Sequence, residues 1–570
     1  MLRAVQNTSA SPLAALAVKS AANRRFTAAH AMASYSSGAA LDWLGRFTNY
    51  EQQGVPQAAG TNSDSGFDLG RMHRLLGDLG DPHHDWPVAA HVAGTKGKGS
   101  TVALLSSILL AAGYKAGAYT RHVARLTSSC SSIDAACSPH IQSFNERIAV
   151  GGSPISAAAL DALVAAHGDT VEAAHSREAG ALSHFEIVTA LAFKHFQEQQ
   201  VDAAVIEVGL GGARDATNVL PSASLAAAVI TAVGQDHAAA LGGSVQAIAA
   251  AKAGIMQAGR PVVVARQPEP AAEAVLLQRA EELGCPVIEA LKEVQFHSAA
   301  ADESSSSGAA GPAMLQQRLR MVVTGQTAAA FEASVEQIEQ EVRIRLLGAH
   351  QLDNAAAAVA AAACLRRHGM RGIDMAAVAA GLAAAQLPGR FQLCQFSEDA
   401  EEAAEAAARA AQGASSSGCE VGPWVVLDGA HTPESAAALA HTLRELLPTA
   451  PVALVMAMAE DKQHREFCQA IRTVQPSVAV FTSVPIAGGA ARAASPGQLA
   501  GAWQAAAILG GGRARGGVRT RELIQASVTA AVERARMELR SQRGQRGVVV
   551  VCGSLHAVGA ALAQLPLEAC

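Results

Sequence analysis

The chain has 570 residues, of which 50% are hydrophobic and 16% are charged. This length and composition predict more than one hydrophobic core and exclude an intrinsically disordered protein. A formal net charge of −5 and an isoelectric point of about 6.4 exclude the broad basic surface of a protein that binds nucleic acid or an anionic membrane.

The N-terminal segment, residues 1–40, differs from the rest of the chain. It is rich in Ser and Ala, has no acidic residue, and carries Arg3, Lys19, Arg24 and Arg25. This composition is typical of a transit peptide and predicts a mitochondrial protein, with a plastid or the cytosol as alternatives. A disordered tail in an alanine-rich chain is the other interpretation.

Apolar runs and cysteines limit the remaining classes. No apolar run reaches the roughly 18 residues of a membrane-spanning helix, and VALLSSILLAAG (102–113) predicts a buried helix instead. The nine cysteines show neither CxxC pairs nor zinc-ligand spacing, which indicates a reduced compartment without a disulfide framework.

Strand and helix patterns alternate along the chain. Residues 87–94, 201–209 and 223–234 predict buried strands, whereas 183–196 and 242–256 predict helices, the second capped by Ser244 and near Gly254. The alternation resumes with predicted strands at 424–429, 451–458 and 548–554. This order predicts an α/β fold with helix-covered parallel sheets in two domains.

Composition also suggests where the domains divide. LPGR (387–390) is typical of a turn, and we expect an N-terminal domain over 41–388 and a C-terminal domain over 389–570. The low-complexity stretches 298–313 and 397–422 predict loops or insertions.

The stretch HVAGTKGKGST (91–101) predicts a phosphate site between a strand and a helix. Glycines at Gly94, Gly97 and Gly99 allow a tight turn whose backbone N–H groups face one concavity, together with the positive end of the helix dipole. Lys98 is placed to reach a β- or γ-phosphate, and the Ser100 or Thr101 hydroxyl to hold Mg²⁺. A flexible glycine loop with a solvated lysine is the alternative.

Polar side chains follow the ends of other predicted strands. Glu207, Asp236 and His237 are expected near the glycine loop, because the carboxyl ends of parallel strands open on one side of a sheet. Asp428 and His431 in LDGAHTPES occupy a similar position in the C-terminal half. From spacing alone, a helix-capping or salt-bridging acid is an equal alternative for Glu207. For His237 a structural role, and for Asp428 a capping role in an ordinary turn, are the favoured interpretations.

Motifs in this order resemble the folate branch of the Mur-ligase-like ATP-dependent amide ligases, dihydrofolate synthase and folylpolyglutamate synthase, over about residues 41–570. The motifs are FDLGRM (67–72), LGDP (79–82), HVAGTKGKGST, SPHI (138–141), NERI (145–148), HFEIVTALAF (184–193), EVGLGGARDATNV (207–219), DH (236–237), LGGS (241–244), AKAGI (251–255), LLGAHQLDNAAAA (346–358), LPGRF (387–391), LDGAHTPES (427–435) and CGSLHAVG (552–559). The resemblance implies a P-loop ATPase-like Mur ligase central domain followed by a Rossmann-like Mur ligase domain.

The resemblance also implies the reaction. ATP phosphorylates a pterin-linked carboxylate, and the amine of L-glutamate displaces phosphate from the acyl phosphate. The implied partners are small molecules, namely dihydropteroate or folate, glutamate and ATP, with Mg²⁺ and a possible second, monovalent cation such as K⁺. A monomer that binds neither nucleic acid nor a membrane is expected.

Site residues carry over from the family motifs by position. Lys98, Lys252 and His237 are implied to be catalytic. The implied ATP contacts are Gly94, Thr95, Lys96, Gly97, Lys98, Gly99, Ser100, Thr101, Asn354, Arg390, Asp428 and His431, with His350 and Gln351 in the same nucleotide-side motif as Asn354. The implied metal ligands are Ser100, Ser138, Glu207, His237 and Lys252, the last if it is carbamylated.

One departure concerns the family string YTSPH. Here Tyr119–Thr120 and Ser138–Pro139–His140 are separated by residues 121–137. The inserted segment is either a lineage-specific loop extension or translated intron, and it makes the role of Ser138 less secure than that of Lys98.

The resemblance leaves the acceptor open. HFEIVTALAF, GLGGARDATNV and the GSLH motif resemble plant-type dihydrofolate synthases more closely, so dihydropteroate is the expected acceptor and a folylpolyglutamate synthase or bifunctional enzyme the alternative. A peptidoglycan-precursor ligase is disfavoured, because the chain before residue 67 is too short for a UDP-sugar domain. A family member without activity is the third hypothesis.

Overall fold

The computed structural model describes residues 38–53, 55–60, 67–120, 144–235, 238–298, 317–397, 422–486, 492–509, 520–540 and 546–569. The leader, the insertion 121–137 and the two low-complexity stretches lie wholly or largely outside these ranges.

The first sheet has eight strands in the order β4-β3-β2-β5-β1-β6-β7-β8. Strands β2, β5, β1, β6, β7 and β8 are mutually parallel, and β3 and β4 are antiparallel at one edge. The bounds are β1 Val88–Ala93, β2 Ala116–Tyr119, β3 Ile148–Val150, β4 Ser153–Pro154, β5 Ala203–Glu207, β6 Leu225–Ile230, β7 Val262–Val264 and β8 Val287–Glu289. Every residue of β1, β5 and β6 is buried, which confirms the three predicted strands.

Helices cover both faces of this sheet. Their bounds are Ala39–Leu44, Tyr50–Gln53, Leu69–Asp78, Lys98–Ala111, Ala157–Arg177, His184–Glu198, Val245–Ala253, Pro270–Glu282, Ala290–Glu293, Gly325–Phe331, Ala349–Arg367 and Met375–Ala384, with 3-10 turns at Pro82–His84, Phe144–Arg147 and Ala238–Ala240. The predicted helices at 102–113, 183–196 and 242–256 are confirmed, and Ser244 caps Val245–Ala253 by accepting from the Ala247 amide at 3.1 Å.

A three-stranded antiparallel sheet follows, in the order β11-β10-β9, which the sequence analysis did not predict. The loop or insertion predicted at 298–313 lies between β9 and β10, almost wholly outside the described residues. Its strands are β9 Val294–Ser298, β10 Gln317–Thr324 and β11 Gln337–Ile344. Side chains alternate along β10, so that Leu319, Met321 and Val323 are buried in one core with the alanine-rich helix Ala349–Arg367. The low-complexity segment between β9 and β10 hides this alternation in the sequence.

The C-terminal sheet has seven strands in the order β16-β15-β14-β17-β13-β12-β18. Strands β16 to β13 are parallel, whereas β12 pairs antiparallel with both β13 and β18. The bounds are β12 Gln392–Phe396, β13 Trp424–Leu427, β14 Val452–Met456, β15 Val478–Phe481, β16 Arg521–Ile524, β17 Val548–Cys552 and β18 Leu567–Ala569, with helices Pro433–Leu446, His464–Ile471, Pro496–Leu509, Val528–Arg540 and Leu555–Gln564 and a 3-10 turn at Arg472–Val474. The strands predicted at 424–429, 451–458 and 548–554 are therefore confirmed.

The molecule is thus an α/β protein with two helix-covered, mainly parallel sheets, as predicted. The turn at 387–391 joins the helix Met375–Ala384 to β12. The domain boundary between 388 and 389 falls in this turn and stays a prediction. Across the described residues, no helix is both long and apolar enough to span a membrane.

Candidate active site

The glycine loop links β1 to the buried helix Lys98–Ala111. Gly94 has φ 153° and Gly97 has φ 90°, a region that favours glycine. A Cβ atom at Gly94 would lie 1.8 Å from Thr231 Oγ1, and one at Gly97 would lie 2.2 Å from Asn354 Oδ1. Gly99 is helical, and its Cβ would meet only Glu207 Oε2 at 3.6 Å. Conformation therefore requires glycine at the first two positions and not at Gly99, contrary to expectation.

The loop's backbone amides are only partly directed at a ligand. The amides of Thr95 and Lys96 both donate to the Ala232 carbonyl oxygen, at 2.8 and 3.1 Å. The amides that begin the helix at Lys98 have no partner in the preceding helical turn, because that turn does not exist. A phosphate bound here would therefore be held by the start of this helix and its dipole rather than by the whole loop.

Two lysines and one buried carboxylate surround the loop. Lys98 Nζ donates to the Gly94 carbonyl oxygen at 3.1 Å, and Lys252 Nζ donates to the same oxygen at 2.9 Å. Glu207 at the end of β5 is 3% exposed, and its Oε1 lies 3.9 Å from Lys98 Nζ. The strand end at Glu207 thus lies beside the glycine loop, as predicted, whereas Asp236 lies outside the described residues and its position stays a prediction.

Of the two hydroxyl residues after the glycines, one lines the cavity and the other is buried in the core. Ser100 lines the cavity described below, whereas Thr101 is fully buried and its Oγ1 has no hydrogen-bond partner in the part of the chain that the structure describes. Thr101 does not line the cavity, and its predicted contact with the nucleotide or metal stays a prediction. Ser138 and His237 lie outside the described residues, so their predicted roles stay predictions.

The nucleotide-side motif, which contains His350, Gln351 and Asn354, lies close to the glycine loop. His350 and Gln351 line the cavity. Asn354 is buried, donates from Nδ2 to Gln351 Oε1 at 3.0 Å and turns its Oδ1 toward Gly97. Asn354 was expected to contact ATP, and instead it packs against the glycine turn without lining the cavity.

The C-terminal half contributes the opposite wall. Asp428, after β13, accepts from the Phe391 amide through Oδ2 and from the Ala430 amide through Oδ1, both at 2.8 Å. Phe391 has φ 42°, which is uncommon for a residue with a side chain. Asp428 thereby holds the turn that presents Arg390 to the cavity. Burial raises the pKa of the Asp428 carboxyl group, and the Arg390 guanidinium opposes this rise.

His431 lies next to Asp428 on the same wall. Its Nδ1 is 2.8 Å from the Gly429 carbonyl oxygen, an acceptor, so Nδ1 carries a proton. Burial lowers the pKa of His431 to about 4, and the neighbouring cations Lys96, Lys462 and Arg390 act in the same direction. The ring is therefore neutral near pH 7 and presents Nε2 as an acceptor.

These walls enclose one cavity of about 480 Å³ between the two sheets. The predicted residues that line it are Gly94, Thr95, Lys96, Gly97, Lys98, Gly99, Ser100, Glu207, Lys252, His350, Gln351, Arg390, Asp428 and His431. Lys96 Nζ reaches Thr432 Oγ1 at 3.5 Å across the junction. Segments more than 300 residues apart in the chain therefore share a single site.

A second, smaller cavity of about 70 Å³ adjoins the first, and sequence reasoning missed it. Its lining includes the aromatic residues Tyr50, Phe67 and Phe185 and the acidic residue Asp215. Gly209 and Leu210 line both cavities. The aromatic residues at the start of FDLGRM and HFEIVTALAF were the available signal, but their distance apart in the chain conceals that they meet.

The donor set suits a hard divalent cation. Glu207 and Ser100 offer oxygen atoms at the start of a helix, beside the expected phosphates, and Mg²⁺ prefers oxygen ligands and keeps several waters. Among the described residues there is no group of three or more His, Cys, Asp or Glu side chains placed to hold a metal. The residues therefore fit a cation shared with nucleotide phosphates better than a cation held by protein ligands alone.

Comparison with known proteins gives consistent matches. Residues 157–362 match the Mur ligase middle domain and residues 418–555 match the Mur ligase glutamate ligase domain. The chain is 33% identical over 412 residues to the dihydrofolate synthase/folylpolyglutamate synthase of Bacillus subtilis, which covers 72% of this chain and 80% of the relative.

Two solved structures share the fold. Mycobacterium tuberculosis folylpolyglutamate synthase complexed with ADP and AMPPCP has a TM-score of 0.63 and 27% identity, over 87% of this chain and 95% of that chain. The Yersinia pestis bifunctional folylpolyglutamate synthase/dihydrofolate synthase, complexed with AMPPNP and a Mn ion, has a TM-score of 0.63 and 25% identity, over 93% and 98%.

Proposed function

This chain belongs to the dihydrofolate synthase/folylpolyglutamate synthase family of Mur ligases, and we propose that within this family it is a dihydrofolate synthase. Such an enzyme joins L-glutamate to the carboxylate of 7,8-dihydropteroate at the expense of ATP. We call the eight-stranded sheet with its helices the first lobe and the seven-stranded sheet with its helices the second lobe. The observation that carries the proposal is the cavity between them, in which Lys98, Glu207 and Lys252 of the first lobe face Arg390 and His431 of the second.

The first lobe supplies the groups that hold phosphates. The start of the helix Lys98–Ala111 and the Lys98 and Lys252 ammonium groups, which share the Gly94 carbonyl oxygen, put positive charge where phosphoryl oxygens gain negative charge. Mg²⁺ bound near Ser100 and Glu207, with Ser138 and His237 as further proposed ligands, would neutralise phosphate charge. Carbamylation of Lys252 would convert its ammonium group into an oxygen donor for a second cation.

The second lobe closes the nucleotide site. Arg390 is held in place by the Asp428 clamp on the Phe391 amide and brings a permanent positive charge to the cavity. His431, neutral and with Nε2 as an acceptor, can receive a hydrogen bond from the nucleotide. ATP thereby contacts both lobes, so closure of the lobes and readiness for phosphoryl transfer are coupled.

The chemistry requires no nucleophilic side chain. The acceptor carboxylate oxygen attacks the γ-phosphorus of ATP, the bond to the bridging oxygen breaks, and ADP leaves. The glutamate amine then attacks the acyl carbon, its proton is lost, and the carbon–oxygen bond to phosphate breaks. The protein's contribution is to orient the three reactants and to stabilise the negative charge that develops.

The second cavity supports a flat, aromatic acceptor. Three aromatic rings line it, and a pterin ring can pack against them with its polar edge toward Asp215. Because Gly209 and Leu210 line both cavities, an acceptor bound there has its carboxylate end directed toward the phosphates. Dihydropteroate, whose carboxylate is fixed to a rigid benzoyl group, is the acceptor that we propose.

An ADP-release assay with L-glutamate and Mg-ATP tests this function. We expect turnover with dihydropteroate and at least tenfold less with tetrahydrofolate. The reverse preference would identify a folylpolyglutamate synthase, comparable rates would identify a bifunctional enzyme, and no turnover with either acceptor would contradict the proposal.

The proposed location is the mitochondrial matrix. It is supported by the basic, acid-free composition of residues 1–40. Expression of the full chain and of residues 41–570, each fused to a fluorescent protein, tests it: only the full chain should reach mitochondria.

A further inference from the structure

Three buried side chains form a hydrogen-bonded chain behind the turn that separates the two cavities. His91 on β1 is fully buried, and its Nε2 lies 2.8 Å from Thr217 Oγ1. Thr217 donates from Oγ1 to Asp215 Oδ1 at 2.6 Å. The proposed reaction gives His91 no role.

The partners determine where the protons are. Asp215 also accepts from the Leu210 amide at 2.7 Å and the Thr217 amide at 3.1 Å, so it is an acceptor in each of these contacts. The single hydroxyl proton of Thr217 is used on Asp215, and Thr217 Oγ1 must therefore accept from His91. His91 Nε2 carries the proton, and Nδ1 is an acceptor without a partner among the described residues.

The charge states agree with this assignment. Complete burial lowers the pKa of His91 to about 3, so the imidazole is neutral at physiological pH. Burial raises the pKa of the Asp215 carboxyl group, and the hydrogen bonds from Thr217 and Leu210 favour its ionised form. Removal of one donor would leave this buried carboxylate less well stabilised.

This series of hydrogen bonds ends at Asp215, where the two cavities meet. Asp215 lines the second cavity and holds the amide of Leu210, and the turn Gly209–Leu210 lines both cavities. The position of this turn therefore depends on Asp215, the position of Asp215 on Thr217, and that of Thr217 on His91.

We propose that His91 is a positioning residue for the acceptor substrate: its donation to Thr217 fixes Asp215 and, through Asp215, the Gly209–Leu210 turn. This inference rests on the proposed function, since it takes the second cavity as the acceptor site. The glycine loop, where ATP is proposed to bind, follows β1, and Asp215 lines the second cavity and not the first. We therefore expect the main effect of His91 to be on acceptor binding.

Two near-isosteric variants separate positioning from packing. His91→Gln places an amide nitrogen close to the position of Nε2 and keeps the donor, whereas His91→Asn places it near Nδ1 and loses the donor to Thr217. We expect His91→Asn to raise the KM for dihydropteroate about fivefold, the effect of one lost hydrogen bond, with the KM for ATP unchanged. We expect His91→Gln to stay within about twofold of wild type for both substrates.

A double-mutant cycle tests the connection through Thr217. Thr217→Val removes the hydroxyl at nearly constant shape, and because both changes break the same chain, His91→Asn with Thr217→Val should raise the acceptor KM no more than the larger single change. If His91→Asn does not fold, Thr217→Val against Thr217→Ser tests the hydroxyl through which His91 acts: equal acceptor KM values for these two variants would likewise overturn the inference.

The failures are distinguishable. Equal acceptor KM values for His91→Asn and His91→Gln, or additive effects in the cycle, would overturn the inference while leaving the ligase assignment intact. No turnover by the wild-type protein with either pterin acceptor would overturn the proposed function, and the inference with it.

Discussion

At the scale of single residues, the site concentrates opposite charges in a sheltered place. Lys98 and Glu207 lie 3.9 Å apart, and Glu207 is almost fully buried, so water screens the pair poorly. Lys252 adds a second ammonium group within 2.9 Å of the Gly94 carbonyl oxygen. Burying these charges costs free energy that a structural role alone does not explain, and two ammonium groups in one cavity suit a polyanionic ligand.

Removal of the Lys98 charge should therefore affect turnover rather than folding. We expect Lys98→Ala to lower kcat at least about 100-fold, because the lost group stabilises charge that develops in the transition state. The unfolding midpoint should move by less than about 2 °C. Lys292→Ala is the matched control, because that side chain is 73% exposed and its salt bridge is with Glu289, three residues earlier. Full ADP release by Lys98→Ala would remove the phosphate-loop assignment.

The buried histidine gives a pH signature with a defined sign. The folded pKa of His91 is about 3 against an ordinary value of 6.5, so the unfolded chain binds the extra proton first as pH falls. Stability from this residue is complete well above pH 6.5 and declines as the pH falls through that value, by about 1 kcal/mol at pH 5.5. Urea unfolding at pH 7.5 and 5.5 should show a smaller decline for His91→Gln than for wild type. An identical decline in both proteins would contradict the neutral, buried state of His91.

At the scale of elements, the glycine turn and the helix after it act as a unit. Gly97 has left-handed φ and Asn354 Oδ1 lies where its Cβ would be, whereas Gly99 is helical and has room. Of these two positions, only Gly97 is restricted to glycine by its geometry. The same contrast explains why spacing alone identified the loop but could not distinguish the roles of its glycines.

The two glycines therefore form a matched pair of variants. Gly97→Ala should cost about 1–3 kcal/mol in stability and weaken binding of a non-hydrolysable ATP analogue, because it combines strain with a clash against Asn354. Gly99→Ala should be neutral or stabilising by up to about 1 kcal/mol, since alanine favours a helix. For each variant, urea unfolding measures the stability and calorimetric titration measures binding of the ATP analogue. Equal effects at the two positions would contradict the described loop conformation.

Sequence patterns predicted the central parallel strands β1, β5, β6, β13, β14 and β17, but not the outer parallel strands or the antiparallel ones. Strands such as β1 and β6 are buried on both faces, so each appears in the sequence as a continuous apolar run. The sheet β9–β11 is buried on one face only, and a low-complexity segment interrupts it. The site residues could be named from motifs, but Thr101 and Asn354 show that a motif does not tell which way a side chain points.

At the scale of the whole molecule, the two lobes meet through both packing and the site. Leu347, which precedes the helix Ala349–Arg367 of the first lobe, is buried in the core of the second lobe with Phe391 and Val426. The Asp428 clamp fixes the turn between the lobes. Long-range meetings of this kind, including the aromatic cavity, follow from the fold and not from local sequence.

Hydrogen exchange measured by mass spectrometry tests the central claim, that one nucleotide bridges the two lobes. Addition of Mg²⁺ and a non-hydrolysable ATP analogue should slow exchange of the amides in 94–101 and in 387–391 and 428–432, with the same midpoint in a titration. Exposed β11 is the internal control and should not change. Protection confined to one lobe, or two separate midpoints, would contradict a shared nucleotide site.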